Sequence, residues 1–191
     1  MIRIKKLYSD PALFEPIEFF EGVNLILGEK VVSEGTTIRQ YQKTNGVGKS
    51  LCIEFTNFCL LKSASDSRVM LVPQDLLKPD TRILLDILIG TKEITICRTT
   101  KEPEKPIFII DNKEILFDSL LDAGAYLAKY LYKDTDLKNN QCPSFRELLG
   151  PIIRDETSEF KELLQCYDIK RNIVDRILCK PHLYFFGINI Q

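Results

Sequence analysis

Apolar and polar positions alternate over residues 2–7, with Ile2 and Ile4 on one side and Arg3 and Lys5 on the other. That period of two predicts a strand, and Tyr8-Ser9-Asp10-Pro11 is expected to break it. A second short strand is expected at Ile17-Glu18-Phe19, before Glu21-Gly22 turns the chain. Residues 23–27 form an apolar run that reads as a buried strand, and residues 51–61 read as a helix apolar on nearly all sides, hence buried. Two hairpins follow. Residues 82–89 and 93–98 flank Gly90-Thr91-Lys92, and residues 107–110 and 114–117 flank Asp111-Asn112-Lys113. Asp118 is expected to cap a helix over residues 119–132. Ser144 and Glu147 form a capping-box pattern that opens another helix, ending near Gly150-Pro151. Residues 158–166 and 168–179 read as two further helices, and Pro181 starts a last apolar piece at residues 183–188.

The chemistry concentrates between the apolar run at 23–28 and the helix at 51–61. There the chain reads Thr44-Asn45-Gly46-Val47-Gly48-Lys49-Ser50. Strand, glycine loop, Lys-Ser and helix is the setting of a phosphate-binding P-loop. Gly46 and Gly48 let the backbone come close to a phosphate and take up positive φ. Successive N–H groups of Asn45, Gly46, Val47 and Gly48 would then form an anion nest, reinforced by the positive end of the helix. Lys49 is placed to meet the β- and γ-phosphates, and the Ser50 hydroxyl to ligate Mg²⁺. The pattern departs from G-x-x-x-x-G-K-S/T in one place, with Lys43 where a Gly is wanted. Leu51 follows where a second hydroxyl residue is common; it offers the site its backbone N–H only. The bland alternative is that Asn-Gly-Val-Gly is only a turn before a helix.

Two neighbouring features bear on that site. Residues 29–43 are polar and without period, a long loop or an excursion over the nucleotide, from which Arg39 and Lys43 can reach phosphates or simply face solvent. Four apolar residues precede Asp111, as in a Walker B strand, but no acidic residue follows it and the Asp-Asn-Lys turn explains it more simply.

Composition narrows the class. With 191 residues the chain can build one domain with a real core. Its 26 basic and 27 acidic residues argue against a protein that coats nucleic acid, while leaving room for a local basic patch. A hydrophobic content of 45% with 11 Phe and 7 Tyr indicates a globular chain. No signal peptide and no run of membrane-spanning length is read, so the expected location is the cytoplasm. The six cysteines form no C-x-x-C pair and mostly sit in apolar runs, as reduced core residues do. His182 is the only histidine, and no thiol pair supports it as a metal ligand.

These residues resemble a known family. Phe19-Phe20-Glu21-Gly22-Val23-Asn24-Leu25-Ile26-Leu27-Gly28-Glu29 followed by Asn45-Gly46-Val47-Gly48-Lys49-Ser50 is similar to the N-terminal part of an SMC/RecN-type ABC ATPase head. More narrowly, the chain resembles the bacterial SMC-like ATPases of three-component and phage-defence operons, in which an insertion ahead of the P-loop also occurs. Ser144-Phe145-Arg146-Glu147-Leu148-Leu149-Gly150-Pro151-Ile152-Ile153-Arg154 and Tyr184-Phe185-Phe186-Gly187-Ile188 look like the same family.

The resemblance implies an α/β P-loop NTPase fold with a mixed sheet, antiparallel hairpins and a helical C-terminal part. Residues 1–191 would be one N-terminal lobe, with sheet, P-loop and hairpins over 1–132 and a helical segment over 143–191 leading toward a coiled coil. It also implies ATP and Mg²⁺ as cofactors, held by Asn45, Gly46, Val47, Gly48, Lys49, Ser50 and Leu51, with Ser50 on the metal. Gln141, or Gln74, would be the Q-loop glutamine. Walker B and the signature motif would come from a C-terminal lobe or a second head. The sequence shows neither an Ser-Gly-Gly signature nor an apolar run ending in Asp-Glu. This chain alone is therefore expected to bind ATP without hydrolysing it. The complete protein would be a homodimer whose heads engage on ATP and act on DNA in repair or phage defence, with no membrane partner. The alternative is a stand-alone, non-catalytic module that binds a partner head. A GTPase or small-molecule kinase fits less well, because no N-K-x-D motif is present.

Overall fold

The first strand, β1 (Ile2–Asp10), runs past the point where its alternation breaks. The reason is a β-bulge. Pairing to the next strand slips between Ile4 and Lys6, and Lys5 is left exposed. One extra residue reverses the parity of the strand. Ile2 and Ile4 face the core before the bulge, and Leu7 and Ser9 face it afterwards. The computed structural model describes residues 2–26, 49–132, 142–149, Ile153 and two short strands, β7 (Cys166–Tyr167) and β8 (Ile173–Val174).

Among the described residues the centre is a six-stranded sheet in the order β2-β1-β3-β4-β5-β6, with every pairing antiparallel. The strands are β2 (Ile17–Glu18), β3 (Arg82–Ile89), β4 (Lys92–Arg98), β5 (Ile107–Ile110) and β6 (Lys113–Leu116). Both expected hairpins are present. Gly90 supplies left-handed backbone (φ 62) between β3 and β4. Asp111 and Asn112 both take positive φ (51 and 60) between β5 and β6, the geometry of a two-residue type I′ turn. Asp111 is thus a turn residue, ion-paired with Lys92.

One face of the sheet is the core. Ile83, Leu85, Ile87 and Ile89 of β3, Ile94 and Ile96 of β4, and Phe108 and Ile110 of β5 are buried there. Against them pack α1 (Lys49–Cys59), through Phe55, Phe58 and Cys59, and α2 (Leu120–Leu131), through Ala123 and Leu127. A short helix, α3 (Phe145–Leu149), adds Phe145 and Leu149. The other face carries polar groups, including Asp86, whose carboxylate accepts from Thr95 at 2.6 Å and from Tyr8 at 3.3 Å.

Four expectations need correction. Residues 23–26 form no strand, and Val23, Leu25 and Ile26 are exposed at 98%, 78% and 41%. An apolar run becomes a strand only beside another strand that takes its N–H and C=O groups, and among the described residues this run has none. Next, α1 is not buried all round. Ile53 is exposed on its first half, and the second half sinks into the core. The cap of α2 is Ser119 rather than Asp118: its hydroxyl accepts from the Asp122 N–H at 3.1 Å and donates to the Asp122 carboxylate. Finally, β7 and β8 fall where helices were expected at 158–166 and 168–179. The β-branched pair Ile173-Val174 suits extended backbone better than helix. The capping box of α3 forms in both directions. The Ser144 N–H donates to Glu147 at 2.7 Å, and the Glu147 N–H donates to the Ser144 hydroxyl at 3.3 Å. Among the described residues no helix is long and apolar enough to cross a membrane.

The core also holds an ion pair. Lys62 reaches back along α1 to Glu54, 3.2 Å away, with both side chains 4% exposed. Replacing Lys62 by Met leaves a buried carboxylate without its cation, and should cost roughly 3–5 kcal/mol in urea unfolding. The double variant Glu54→Leu/Lys62→Met should return most of that loss. Equal losses in the two would show that the pair does not act as a unit.

Burial pushes the Cys97 thiol up from 9.0 to about 11, against the pull of Arg82 and with added push from Glu114 and Asp10. A raised thiol leaves stability intact below the unfolded value and removes it as pH climbs through the folded one. Stability should therefore decline between about pH 9 and 11, and less steeply in Cys97→Ala. Parallel slopes for the two proteins would show that Cys97 does not titrate in this range.

Candidate functional site

The sequence places its chemistry at the amino end of α1, which begins at Lys49. Asn45, Gly46, Val47, Gly48 and Gln141 lie outside the described residues, as do Arg39, Lys43, His182 and residues 183–188. Lys49 and Ser50 are the first two residues of the helix, and Ser50 is exposed. Leu51 is half-buried and packs against the core. Gln74 is exposed in the turn that follows the 3-10 segment Arg68–Leu71, where the Leu76 and Leu77 N–H groups donate to the Pro73 carbonyl. Among the described residues no group of three His, Cys, Asp or Glu side chains is placed to hold a metal.

The 11 residues of α1 span roughly 16 Å. Its first turn carries no acidic residue that would neutralise the positive end of the macrodipole. The N–H groups at the start of a helix and an exposed hydroxyl are of the chemistry that suits an anion and a hydrated divalent cation.

The carboxyl end of α1 determines where that amino end can be. It closes in a Schellman motif: the Lys62 N–H donates to the Asn57 carbonyl at 3.2 Å and the Leu61 N–H to the Phe58 carbonyl at 3.0 Å. Leu61 occupies the left-handed position (φ 67), where Gly is usual. A leucine there costs about 1 kcal/mol of backbone strain, but its side chain is buried in the core. Two guanidinium groups complete the cap. Arg98, 1% exposed, donates to the Phe58 carbonyl at 2.5 Å, the Lys62 carbonyl at 2.7 Å and the Pro103 carbonyl, and lies over the Phe58 ring with its central carbon 3.8 Å from the centroid. Arg146 donates from Nη1 to the Asn57 side-chain oxygen at 2.8 Å and to the Leu60 carbonyl at 3.0 Å.

The electrostatics follow. Burial pulls Arg98 down to about 10, with Arg146 acting in the same direction and Glu104 against it. It still carries its charge at neutral pH, beside the negative end of the helix dipole. The sequence expectations give no role to Arg98, Asn57 or Glu54, name Arg146 only within its capping-box stretch, and take Lys62 for part of a polar surface loop, whereas it is buried. The available signals were the period of two in β4, which puts Arg98 on the face of Ile94 and Ile96, and the two polar residues Glu54 and Asn57 inside an otherwise apolar helix.

Comparison with known proteins gives one distant match. The chain is 28% identical over 147 residues to the uncharacterized protein YydD of Bacillus subtilis strain 168. The match covers 75% of this chain and 23% of that protein, so the chain spans under a quarter of the relative's length. No protein-family profile matches the chain, and no solved structure matches it.

Proposed function

We propose that this chain is the ATP-binding N-terminal part of an SMC/RecN-like ATPase, with an α/β P-loop fold. The single observation that carries the reading is the polarity of α1. The helix opens at Lys49-Ser50 with an acid-free first turn in which Ser50 is exposed, and its other end is capped by two cations, Arg98 buried and Arg146 half-buried. ATP phosphates would lie against the backbone of residues 45–51, with Lys49 on the β- and γ-phosphates and Ser50 on Mg²⁺. The chain's own residues bind and orient the nucleotide. Hydrolysis would need Walker B, a catalytic acid and a signature motif from a C-terminal lobe or a second head, so the chain is an ATPase only within a complete head.

Two further facts support the reading. The matched relative extends far beyond the stretch it shares with this chain. Val23, Leu25 and Ile26 leave apolar surface exposed just ahead of the proposed nucleotide loop, which suits a head completed by further polypeptide. Engagement of two such heads, driven by ATP, would act on DNA in repair or defence.

The test is ATP affinity of the full-length gene product by calorimetry. Lys49→Met should weaken binding by roughly tenfold or more, the size of one hydrogen bond to a charged group. Ser50→Ala should abolish the dependence on Mg²⁺. Unchanged affinity in Lys49→Met would remove the proposal.

A further inference from the structure

α3 has five residues, too few to persist as a helix without tertiary support. It buries Phe145, Leu148 and Leu149, and between them Arg146 grips the carboxyl end of α1. Its acceptors are of two kinds: a helix-end carbonyl (Leu60) and the side chain of Asn57, itself 1% exposed. Both bonds require the last turn of α1 to be formed. At 2.8 and 3.0 Å, a displacement of about 0.5 Å takes them to the limit of a hydrogen bond. Arg98 ties the same end of α1 to β4. One helix end is therefore fastened to the sheet by one arginine and to α3 by the other.

The geometry points to Arg146 as a positioning residue that makes the local stability of α3 follow that of α1, so that nucleotide bound at the amino end of α1 is felt at residues 142–149. This rests on the nucleotide reading above and adds a direction of communication to it. Ligand bound at the first turn raises the free energy of opening α1. Arg146 passes that protection on, because α3 loses two hydrogen bonds whenever the end of α1 opens. Asn57 takes part from the other side of the same contact.

The test is amide hydrogen exchange of the full-length gene product with and without Mg-ATP. At saturation, exchange in α1 and at Leu148 and Leu149 should slow together by about tenfold or more, while β5 and β6 change less. In Arg146→Gln, ATP should still slow α1 by about the same factor and leave α3 within about twofold of its unliganded rate. Asn57→Ala should reproduce that uncoupling. Protection of α1 with no change in α3 of the wild type overturns the inference without any variant, whether or not the variants fold. Equal protection of α3 in wild type and Arg146→Gln overturns it too. Failure of ATP to bind, measured separately, removes the nucleotide reading and this inference with it.

Discussion

Two guanidinium groups on the carbonyls at the end of α1, Arg98 buried and Arg146 half-buried, are the constraint on which the arrangement depends. A helix that finishes inside a core leaves carbonyl groups without intrahelical partners. An unsatisfied buried polar group costs about 1–3 kcal/mol, so several together would cancel most of a domain's margin. Here the Schellman bonds take the Asn57 and Phe58 carbonyls, and Arg98 and Arg146 reach those of Phe58, Leu60 and Lys62. The charge of Arg98 faces carbonyl oxygens, the negative helix end and the Phe58 ring. Cap and cation are mutually dependent. Neither would be tolerable in the core alone.

That anchoring also explains the graded burial of α1. Its second half is held against the sheet through Phe55, Phe58 and Cys59, and its amino end emerges with Ser50 and Ile53 exposed. A rod fixed at its buried end presents the other end in a defined place. For the proposed nucleotide site, this supplies pre-organisation: the anion-binding end is oriented before any ligand arrives.

The legible parts of the fold are those that local chemistry determines. The turns at Gly90 and Asp111-Asn112 force φ above zero, and the strands beside them alternate cleanly, so both hairpins could be read from the sequence. The Ser144-Glu147 box is equally local. Long-range terms decide the rest. The bulge in β1 changes which residues face inward, and its trace in the sequence is only the adjacent pair Lys5-Lys6. At the candidate site, residues 49–51 were legible from the motif, but their support was not. Arg98 and Arg146 lie 40 and 86 residues from the α1-end carbonyls of Phe58 and Leu60 that they cap, and no local pattern connects them. The alternation of β4 was the nearest clue, since it puts a charged residue in the core, where a buried polar group needs hydrogen-bond partners.

The run at residues 23–26 is the instructive disagreement. Its composition specifies burial, yet Val23 and Leu25 stand almost wholly in solvent. Fully burying one such side chain is worth about 1.5–3 kcal/mol, so exposing several forgoes an amount comparable to a domain's net stability. Here β1 already pairs with β2 on one side and β3 on the other, which leaves the run no complete strand edge beside it. The described residues thus satisfy the sheet and leave the apolar run uncovered. In the proposed reading the two facts have one cause. The run precedes the nucleotide loop, and the completed head would supply the surface that covers it.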